Sequence, residues 1–188
     1  MNPVIENIKK RRSVRRYSQT QVEAEKIEQI IEAGSFAPSG HNDQPWHFTV
    51  IQNKDLIDKI NLETKALIKD SEDPTFRKMG QSERLHLLYN APTVIVVSGD
   101  PVNSYSMEED LGAATQNMLL AAHSLGLSTC WIGLATLYFE GEKKDEILKE
   151  MEIPAGFVPQ YVITLGYSNL TRDLEAPKRR ENIVNYIK

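Results

Sequence analysis

Cysteine is almost absent from the sequence, in which Cys130 is the single thiol. A single cysteine excludes an internal disulfide and a cysteine-rich zinc site. It also suits a reducing compartment, so we expect a cytoplasmic protein. The chain has no run of about 18 apolar residues, the length that marks a membrane-spanning helix. We therefore expect no membrane partner.

A general excess of positive charge is also missing, because the formal net charge is −4. Domains that bind nucleic acid normally carry a basic face and often a basic overall balance. We therefore expect no nucleic-acid partner. The basic residues that do occur are clustered, which favours a small anion as the ligand. An anion-binding or RNA-binding protein that uses these clusters alone stays as an alternative.

Several sequence motifs of known chemistry are absent. No predicted strand is followed by a G-x-G-x-x-G turn or by a Walker sequence, so a dinucleotide-binding sheet and a P-loop are not supported. No serine or cysteine lies in a nucleophile motif. The four histidines, His41, His47, His86 and His123, show no metal-binding spacing. We therefore expect no metal site, and we expect His123 in the core or at an interface.

Helical and strand patterns alternate along the 188 residues. The helical patterns are "NPVIENIKKRRS", "EAEKIEQIIEAGSFA", "EEDLGAATQNMLLAAHSLG" and "GEKKDEILKEM". The strand patterns are Trp46 to Gln52, "PTVIVVSGD", "STCWIGL" and "QYVITLGY". Residues 53–85 are polar with weak periodicity, which indicates mobile helices or a lid. Together these patterns predict one α+β domain over residues 1–188, with a mixed sheet packed by helices.

The basic motif "RRSVRRY" begins at Arg11. Arginine presents a planar set of donors that matches phosphate, and serine adds a hydroxyl donor. The alternative interpretation is a solvated helix end. A second basic cluster, Lys178, Arg179 and Arg180, lies near the other end of the chain. If the termini pack together, the two clusters would meet at one phosphate.

The segment "PSGHNDQPWHF" from Pro38 to Phe48 has two interpretations. It has the residues of a helix-to-strand turn. Its amide side chains, Asn42 and Gln44, also suit the hydrogen-bonding rim of a flat heterocycle such as a flavin. Further along, "CWIGL" ends a predicted strand in a glycine, where a backbone N–H could face a ring atom. The alternative for "CWIGL" is a plain core strand.

These motifs, taken together, resemble the nitroreductase family of FMN-dependent oxidoreductases. The resemblance is carried, in order, by "RRSVRRY", "APSGHNDQPWHF", "NAPTVIVV", "DLGAATQNMLLAAHSLGL", "CWIG" and "APKRR". It covers nearly the whole chain except roughly residues 53–85 and 138–155. The tail "KRREN" is shorter than in many relatives, so either Arg179 or Arg180 could meet the phosphate.

The resemblance implies an α+β sandwich with a mixed, mostly antiparallel sheet. It also implies an intertwined homodimer, with two FMN sites at the subunit interface. It implies that the phosphate and ribityl end is held by Arg11, Arg12, Ser13, Arg15, Lys178 and Arg180. It places on the flavin, from the other subunit, Pro38, Ser39, Gly40, Asn42 and Gln44. It places along the ring, near the flavin N5 edge, Trp131, Ile132 and Gly133.

The activity implied by the resemblance is hydride transfer from NADH or NADPH, through flavin N5, to a nitroaromatic, a quinone or a similar electron-poor acceptor. The two half-reactions would alternate in a ping-pong mechanism. Because the flavin carries the chemistry, no catalytic side chain is expected. Two alternatives stay open: a related flavoenzyme that dehalogenates or oxidises a heterocycle, and a flavin-binding or redox-sensing module without rapid turnover.

Overall fold

A four-stranded antiparallel sheet forms the centre of the computed structural model, which describes residues 2–140, 144–172 and 174–188. The strands are β1 (Trp46–Ile51), β2 (Thr93–Gly99), β3 (Ser128–Ile132) and β4 (Val158–Gly166). Their order across the sheet is β1-β2-β4-β3, and each neighbouring pair is antiparallel. In the described ranges, parallel pairing is confined to a single bridge between Ser13 and Thr129. The predicted mixture of parallel and antiparallel pairing therefore depends on that one bridge.

Helices cover both faces of the sheet. They are α1 (Pro3–Lys10), α2 (Ala24–Ser35), α3 (Lys54–Ile68), α4 (Pro74–Gln81), α5 (Met107–Ser124) and α6 (Lys144–Glu150), with 3-10 turns at Gly40–Asn42 and Leu134–Phe139. One core cluster joins the sheet to α2 and α5, and the other joins it to α3, α6 and the second 3-10 turn. This arrangement confirms the predicted α+β sandwich. None of the helices described is long and apolar enough to cross a membrane.

Strand β2 is buried on both sides, as its unbroken apolar sequence predicts. Val94 and Val96 pack in the cluster under α3, whereas Ile95 and Val97 pack in the cluster under α5. The strand pairs with β1 on one side and β4 on the other. Residues from both helical layers therefore meet across this one strand.

Helix α5 follows the predicted pattern closely. Its buried positions recur at three- or four-residue intervals and include Leu111, Ala114, Met118 and Ala122. Gly126 has φ 77°, the left-handed conformation that ends helices and that glycine adopts without steric cost. The N–H of the next residue donates to the carbonyl of Ala122 at 2.9 Å, which closes the helix before β3.

The expectation of a lid over residues 53–85 is wrong for α3. This helix buries a full face, formed by Ile57, Ile60, Asn61, Thr64 and Ile68. By contrast, α4 has no buried residue, and its Pro74 and Asp73 form a helix start exposed to solvent. The long polar sequence therefore contains one core helix and one surface helix, and the weak periodicity of the segment hides the difference. Of the predicted "GEKKDEILKEM" helix, residues 141–143 lie outside the described residues.

Candidate active site

The "RRSVRRY" motif forms an extended segment beside β3. Helix α1 ends at Lys10, and the N–H of Val14 donates to the carbonyl of Thr129 at 2.9 Å. Val14 and Tyr17 are buried, and the Tyr17 hydroxyl contacts the Thr164 hydroxyl at 2.8 Å. The two buried side chains therefore anchor the segment to the sheet and set the arginines between and around them along its edge.

Arg11 lies among other cations. Burial lowers the pKa of its guanidinium, and the nearby Arg12 and Arg179 lower that pKa further. Lost hydration and like-charge repulsion both disfavour the charged form. A bound anion would offset both penalties, which is the condition expected of a phosphate-binding group.

A pocket of about 420 Å³ opens beside Arg11. Its polar lining comprises Lys10, Arg11, Arg12, His123, Arg172, Ser128, Thr129 and Ser168. Arg12 donates from Nη1 to the carbonyls of Lys9 (2.7 Å) and Arg11 (2.6 Å), while its buried Nε has no partner among the described residues. Part of the Arg12 guanidinium therefore closes the end of α1, and part of it has unmet hydrogen-bonding capacity.

Arg15 and Ser13 lie next to Cys130 of β3. The pKa of the Cys130 thiol is raised by burial, an effect that Arg15, Ser13 and Arg11 oppose. Arg15 also stacks over the ring of Tyr89, with 5.8 Å between its Cζ atom and the ring centroid. The motif thus brings three predicted cofactor residues to the edge of one strand.

The second basic cluster lies in an exposed tail. Residues 174–188 form neither helix nor strand, and each of them is exposed. Lys178 pairs with Glu181 at 3.5 Å, an ion pair open to solvent. Both Arg179 and Arg180 are exposed, and Arg179 is the member of the cluster whose charge reaches Arg11. The two clusters therefore approach each other through Arg179.

The loop before β1 has an unusual backbone. His41, Asn42 and Gln44 have φ values of 53°, 61° and 47°, which are uncommon for residues other than glycine. Gly40, the residue of this loop best suited to positive φ, does not belong to this group. It is needed for close approach instead, because a Cβ there would lie 2.7 Å from the Ser106 hydroxyl.

Side chains of α5 and the residues before it hold this loop. Asp110 is buried, and its two carboxylate oxygens accept the Gly40 N–H at 3.1 and 3.2 Å. The Asp43 carboxylate accepts the Tyr105 N–H at 3.2 Å. Pro38 is exposed, and Ser39 uses its hydroxyl to accept the Gln44 N–H at 3.0 Å.

The amide side chains of the loop are available for a ligand. Asn42 and Gln44 are exposed, and in the described part of the chain neither side-chain amide makes a hydrogen bond. The contacts of the loop are to the start of α5, and none joins it to the arginines beside β3 in the described residues. One chain therefore builds the two groups of predicted site residues in separate places.

The end of β3 offers an open surface. Trp131 is 36% exposed, and its ring meets the edge of Tyr161 at a centroid distance of 4.6 Å. Ile132 is buried, so the alternative of a core strand holds for its side chain. Gly133 is exposed, with nothing within 4 Å of where a Cβ would stand. A flat ligand could therefore approach the backbone at Gly133.

The sequence interpretation missed several residues around these groups. His123 is half-buried, so its expected place in the core is wrong, while its place at an interface stays a prediction; it lines the pocket beside Arg11. Burial lowers its pKa, with Arg11, Arg12 and Lys10 adding to the effect. Asp110 and Tyr89 were missed because their contacts depend on tertiary structure. No group of three or more acidic, histidine or cysteine side chains in the described ranges could hold a metal ion.

Comparison with known proteins finds similarity over the whole chain. Residues 8–167 match the model of the nitroreductase family. A relative from Archaeoglobus fulgidus, which bears the provisional name NADH dehydrogenase/NAD(P)H nitroreductase, is 35% identical over 97% of this chain and 95% of its own.

Two crystal structures of similar proteins match the fold. A nitroreductase with bound FMN from Bacteroides fragilis has a TM-score of 0.91 and 32% identity, and the match covers 100% of both chains. A nitroreductase with bound FMN from Desulfitobacterium hafniense has a TM-score of 0.88 and 30% identity, also over 100% of both chains.

Proposed function

The chain belongs to the nitroreductase family, and we propose that it is an FMN-dependent oxidoreductase. It takes hydride equivalents from NADH or NADPH and passes them to nitroaromatics, quinones or similar electron-poor acceptors in a ping-pong reaction. The FMN found in two similar structures and the name of the Archaeoglobus relative support this cofactor pair.

The observation that carries the proposal is the crowding of cations at Arg11, at one end of a strand whose other end is open. Thr129, beside the arginines, and Gly133 are separated by four residue steps, roughly 13 Å along an extended strand. FMN has an anionic phosphate at one end and a flat ring at the other. The depressed pKa of Arg11, the unpartnered Arg12 Nε and the open space at Gly133 fit these two ends in that order.

The residues of this chain would hold and orient the cofactor. Bound FMN supplies the hydride-accepting centre at its N5 atom. Arg11, Arg12, Ser13 and Arg15, with Lys178 and Arg180 of the tail, bind the phosphate and ribityl end. Arg179 joins them, since its charge already reaches Arg11. Trp131, Ile132 and Gly133 border the ring, and the exposed face beside Trp131 admits the hydride donor and then the acceptor.

A homodimer completes the site in this proposal. The loop with Asn42 and Gln44 contacts α5 and lies apart from the arginines of its own chain. Its side-chain amides are exposed, and the bonds of Gly40 to Asp110 and of Asp43 to Tyr105 hold the backbone that carries them. Pro38, Ser39, Gly40, Asn42 and Gln44 therefore reach the flavin of the partner subunit, and each interface carries two FMN sites.

Exposed apolar surface supports the dimer. A groove of about 740 Å³ lies between α1, α2 and α5, with Phe36 79% exposed at its margin. The tail adds five exposed apolar side chains, Leu174, Ile183, Val184, Tyr186 and Ile187. Fully extended, residues 174–188 reach up to about 50 Å. Such a tail is long enough to lie across a second subunit and to cover apolar surface there, which would make the dimer intertwined.

In this proposal, the range of electron acceptors depends on the surface that covers the flavin ring. The helix that lies outside the core in the 53–85 segment is α4, which buries no residue and can move during turnover. An adaptable cover does not select one acceptor shape. We therefore expect several classes of flat, electron-poor acceptors to be reduced.

Steady-state rates with NADH and NADPH against quinones, nitro compounds and halogenated phenols test this function. The proposal predicts measurable kcat/KM for both quinones and nitro compounds. If one class were at least about a hundredfold faster than the others, a difference of about 2.7 kcal/mol, the site would be selective. Exclusive turnover of halogenated phenols would indicate a dehalogenase, and FMN binding without turnover would indicate a flavin-binding module.

A further inference from the structure

The connection between α4 and β2 is bound by polar side chains of α3. Asn61 and Lys65 lie one turn apart and therefore project from the same face of the helix. Lys65 donates from Nζ to the carbonyls of Ser82 (2.5 Å) and Leu85 (3.2 Å). The buried Asn61 Oδ1 accepts the Leu87 N–H at 2.7 Å. These bonds fix the backbone that leads to Leu88 and Tyr89.

His86 continues this anchoring. Its Nδ1 accepts the N–H of Leu88 at 3.1 Å, so the ring proton is on Nε2, which donates to Asp58 at 3.3 Å. Asp58 also pairs with Lys54 of the same helix. Side chains from three turns of α3 thus hold one short connection.

The anchored connection ends in a strained residue. Tyr89 has φ 54° and Asn90 has φ 51°, and a bulky side chain in this left-handed region strains the backbone. The conformation is held by the Tyr89 N–H, which donates to the carbonyl of His86 at 2.9 Å, and by Gln19, which donates to the carbonyl of Asn90 at 3.2 Å. Strain of this kind is kept where the direction of the side chain matters.

The strained backbone directs the Tyr89 ring beneath Arg15. The Arg15 guanidinium lies 5.8 Å from the ring centroid, within the range of a cation–π contact. The Arg15 side chain is otherwise exposed, and its bond to the Ser13 carbonyl is long, at 3.5 Å. The aromatic face therefore restricts where the guanidinium can lie.

We propose that Tyr89 is a positioning residue, held by the polar face of α3, that presets Arg15 for binding the cofactor. The inference rests on the proposed function, because it takes Arg15 as an FMN ligand. It adds a residue outside the three motif groups to the site. It also connects α3 to the cofactor end of the molecule through a defined series of contacts.

A double-mutant cycle between Tyr89 and Arg15 tests this role. The dissociation constant of FMN, measured by quenching of flavin fluorescence, is compared for wild type, Tyr89→Leu, Arg15→Ala and the double variant. Tyr89→Leu should weaken FMN binding about three- to tenfold, the scale of a cation–π contact. Tyr89→Phe keeps the ring but removes the hydroxyl that also hydrogen-bonds with Arg15, so its FMN affinity should lie between those of wild type and Tyr89→Leu. In the Arg15→Ala background, Tyr89→Leu should have almost no further effect.

A second variant protects the test against misfolding. Asparagine tolerates the left-handed conformation, so Tyr89→Asn removes the ring while keeping the backbone. It should repeat the result of Tyr89→Leu. Equal losses from Tyr89 substitution with and without Arg15 would overturn the inference, since Tyr89 would then act independently of Arg15. A folded wild-type protein that takes up no FMN would refute the proposed function together with the inference.

Discussion

The guanidinium of Arg11 is partly buried and is also repelled by neighbouring cations. Arg11→Ala should weaken FMN binding by about 1.5–3 kcal/mol, the contribution of a hydrogen bond to a charged group. The fold should be unaffected, because the anchors of the segment are Val14 and Tyr17. Titration of the apoprotein with FMN, followed by flavin fluorescence, gives the value.

A ligand and a variant provide matched controls for Arg11. Riboflavin lacks the phosphate, so its affinity should change little in Arg11→Ala. Arg16→Ala removes an exposed arginine outside the predicted cofactor set and should leave FMN affinity unchanged. Wild-type FMN affinity in a folded Arg11→Ala protein would remove the arginine segment from the site.

Asp110 is a buried carboxylate whose partners lie in the loop and at the start of its own helix. Besides Gly40, it accepts a hydrogen bond from the Ser106 hydroxyl at 3.0 Å. Asp110→Ala would leave the Gly40 N–H without its acceptor and release the loop. We expect a loss of about 1–3 kcal/mol in the free energy of unfolding and weaker FMN binding.

Urea unfolding and FMN titration measure the two effects of Asp110→Ala. Glu109→Ala, one residue earlier and exposed, is the matched control and should change neither value. A variant that loses stability but binds FMN as wild type does would show that the loop has no part in the site.

At the scale of the element, α3 is a core helix within a segment of lid-like composition. Ile60 is 1% exposed and Leu62 is 63% exposed, two residues apart on the same helix. Ile60→Ala should reduce the free energy of unfolding by about 2–5 kcal/mol because it leaves a cavity. Leu62→Ala should change it by less than about 0.5 kcal/mol. Equal, small effects in urea unfolding would mean that α3 is a mobile cover after all.

The elements predicted well from sequence are those with a strong local pattern. The unbroken β-branched run of β2 and the apolar spacing of α5, ended by Gly126, both predict their elements correctly. The burial of α3 is less evident, because its inward face includes Asn61 and Thr64, which carry their own hydrogen bonds. Polar residues at core positions weaken the periodicity that identifies a buried helix.

The residues of the candidate site likewise fall into those that the sequence predicts and those that it does not. Arginine and amide residues are recognisable by type, so the motifs around Arg11 and Asn42 are visible in the sequence. The residues that position them are not, because the contacts of Tyr89 and Asp110 join segments about 70 residues apart, as in Gly40 to Asp110. Nor does sequence predict that His41 and Gln44 rather than Gly40 adopt positive φ. Tertiary contacts decide these features.

For the whole molecule, the exposed groove and tail predict an obligate dimer. Sedimentation of the FMN-loaded protein at micromolar concentration should give about twice the 21.3 kDa chain mass. Phe36→Glu places a charge at the margin of the groove and should shift the protein towards the monomer, with loss of bound FMN. Leu62→Glu, on the outer face of α3, is the control and should remain dimeric. A monomer with full flavin occupancy would refute the shared site.

The central claim is that this protein binds FMN and reduces it with a nicotinamide cofactor. The most direct measurement is the anaerobic absorbance spectrum of the purified protein after incubation with FMN and removal of free flavin. The account predicts a yellow protein with one FMN per chain, whose flavin band bleaches rapidly on addition of NADH or NADPH. A folded protein that stays colourless after incubation with FMN, or a bound flavin that neither nucleotide reduces, would contradict it.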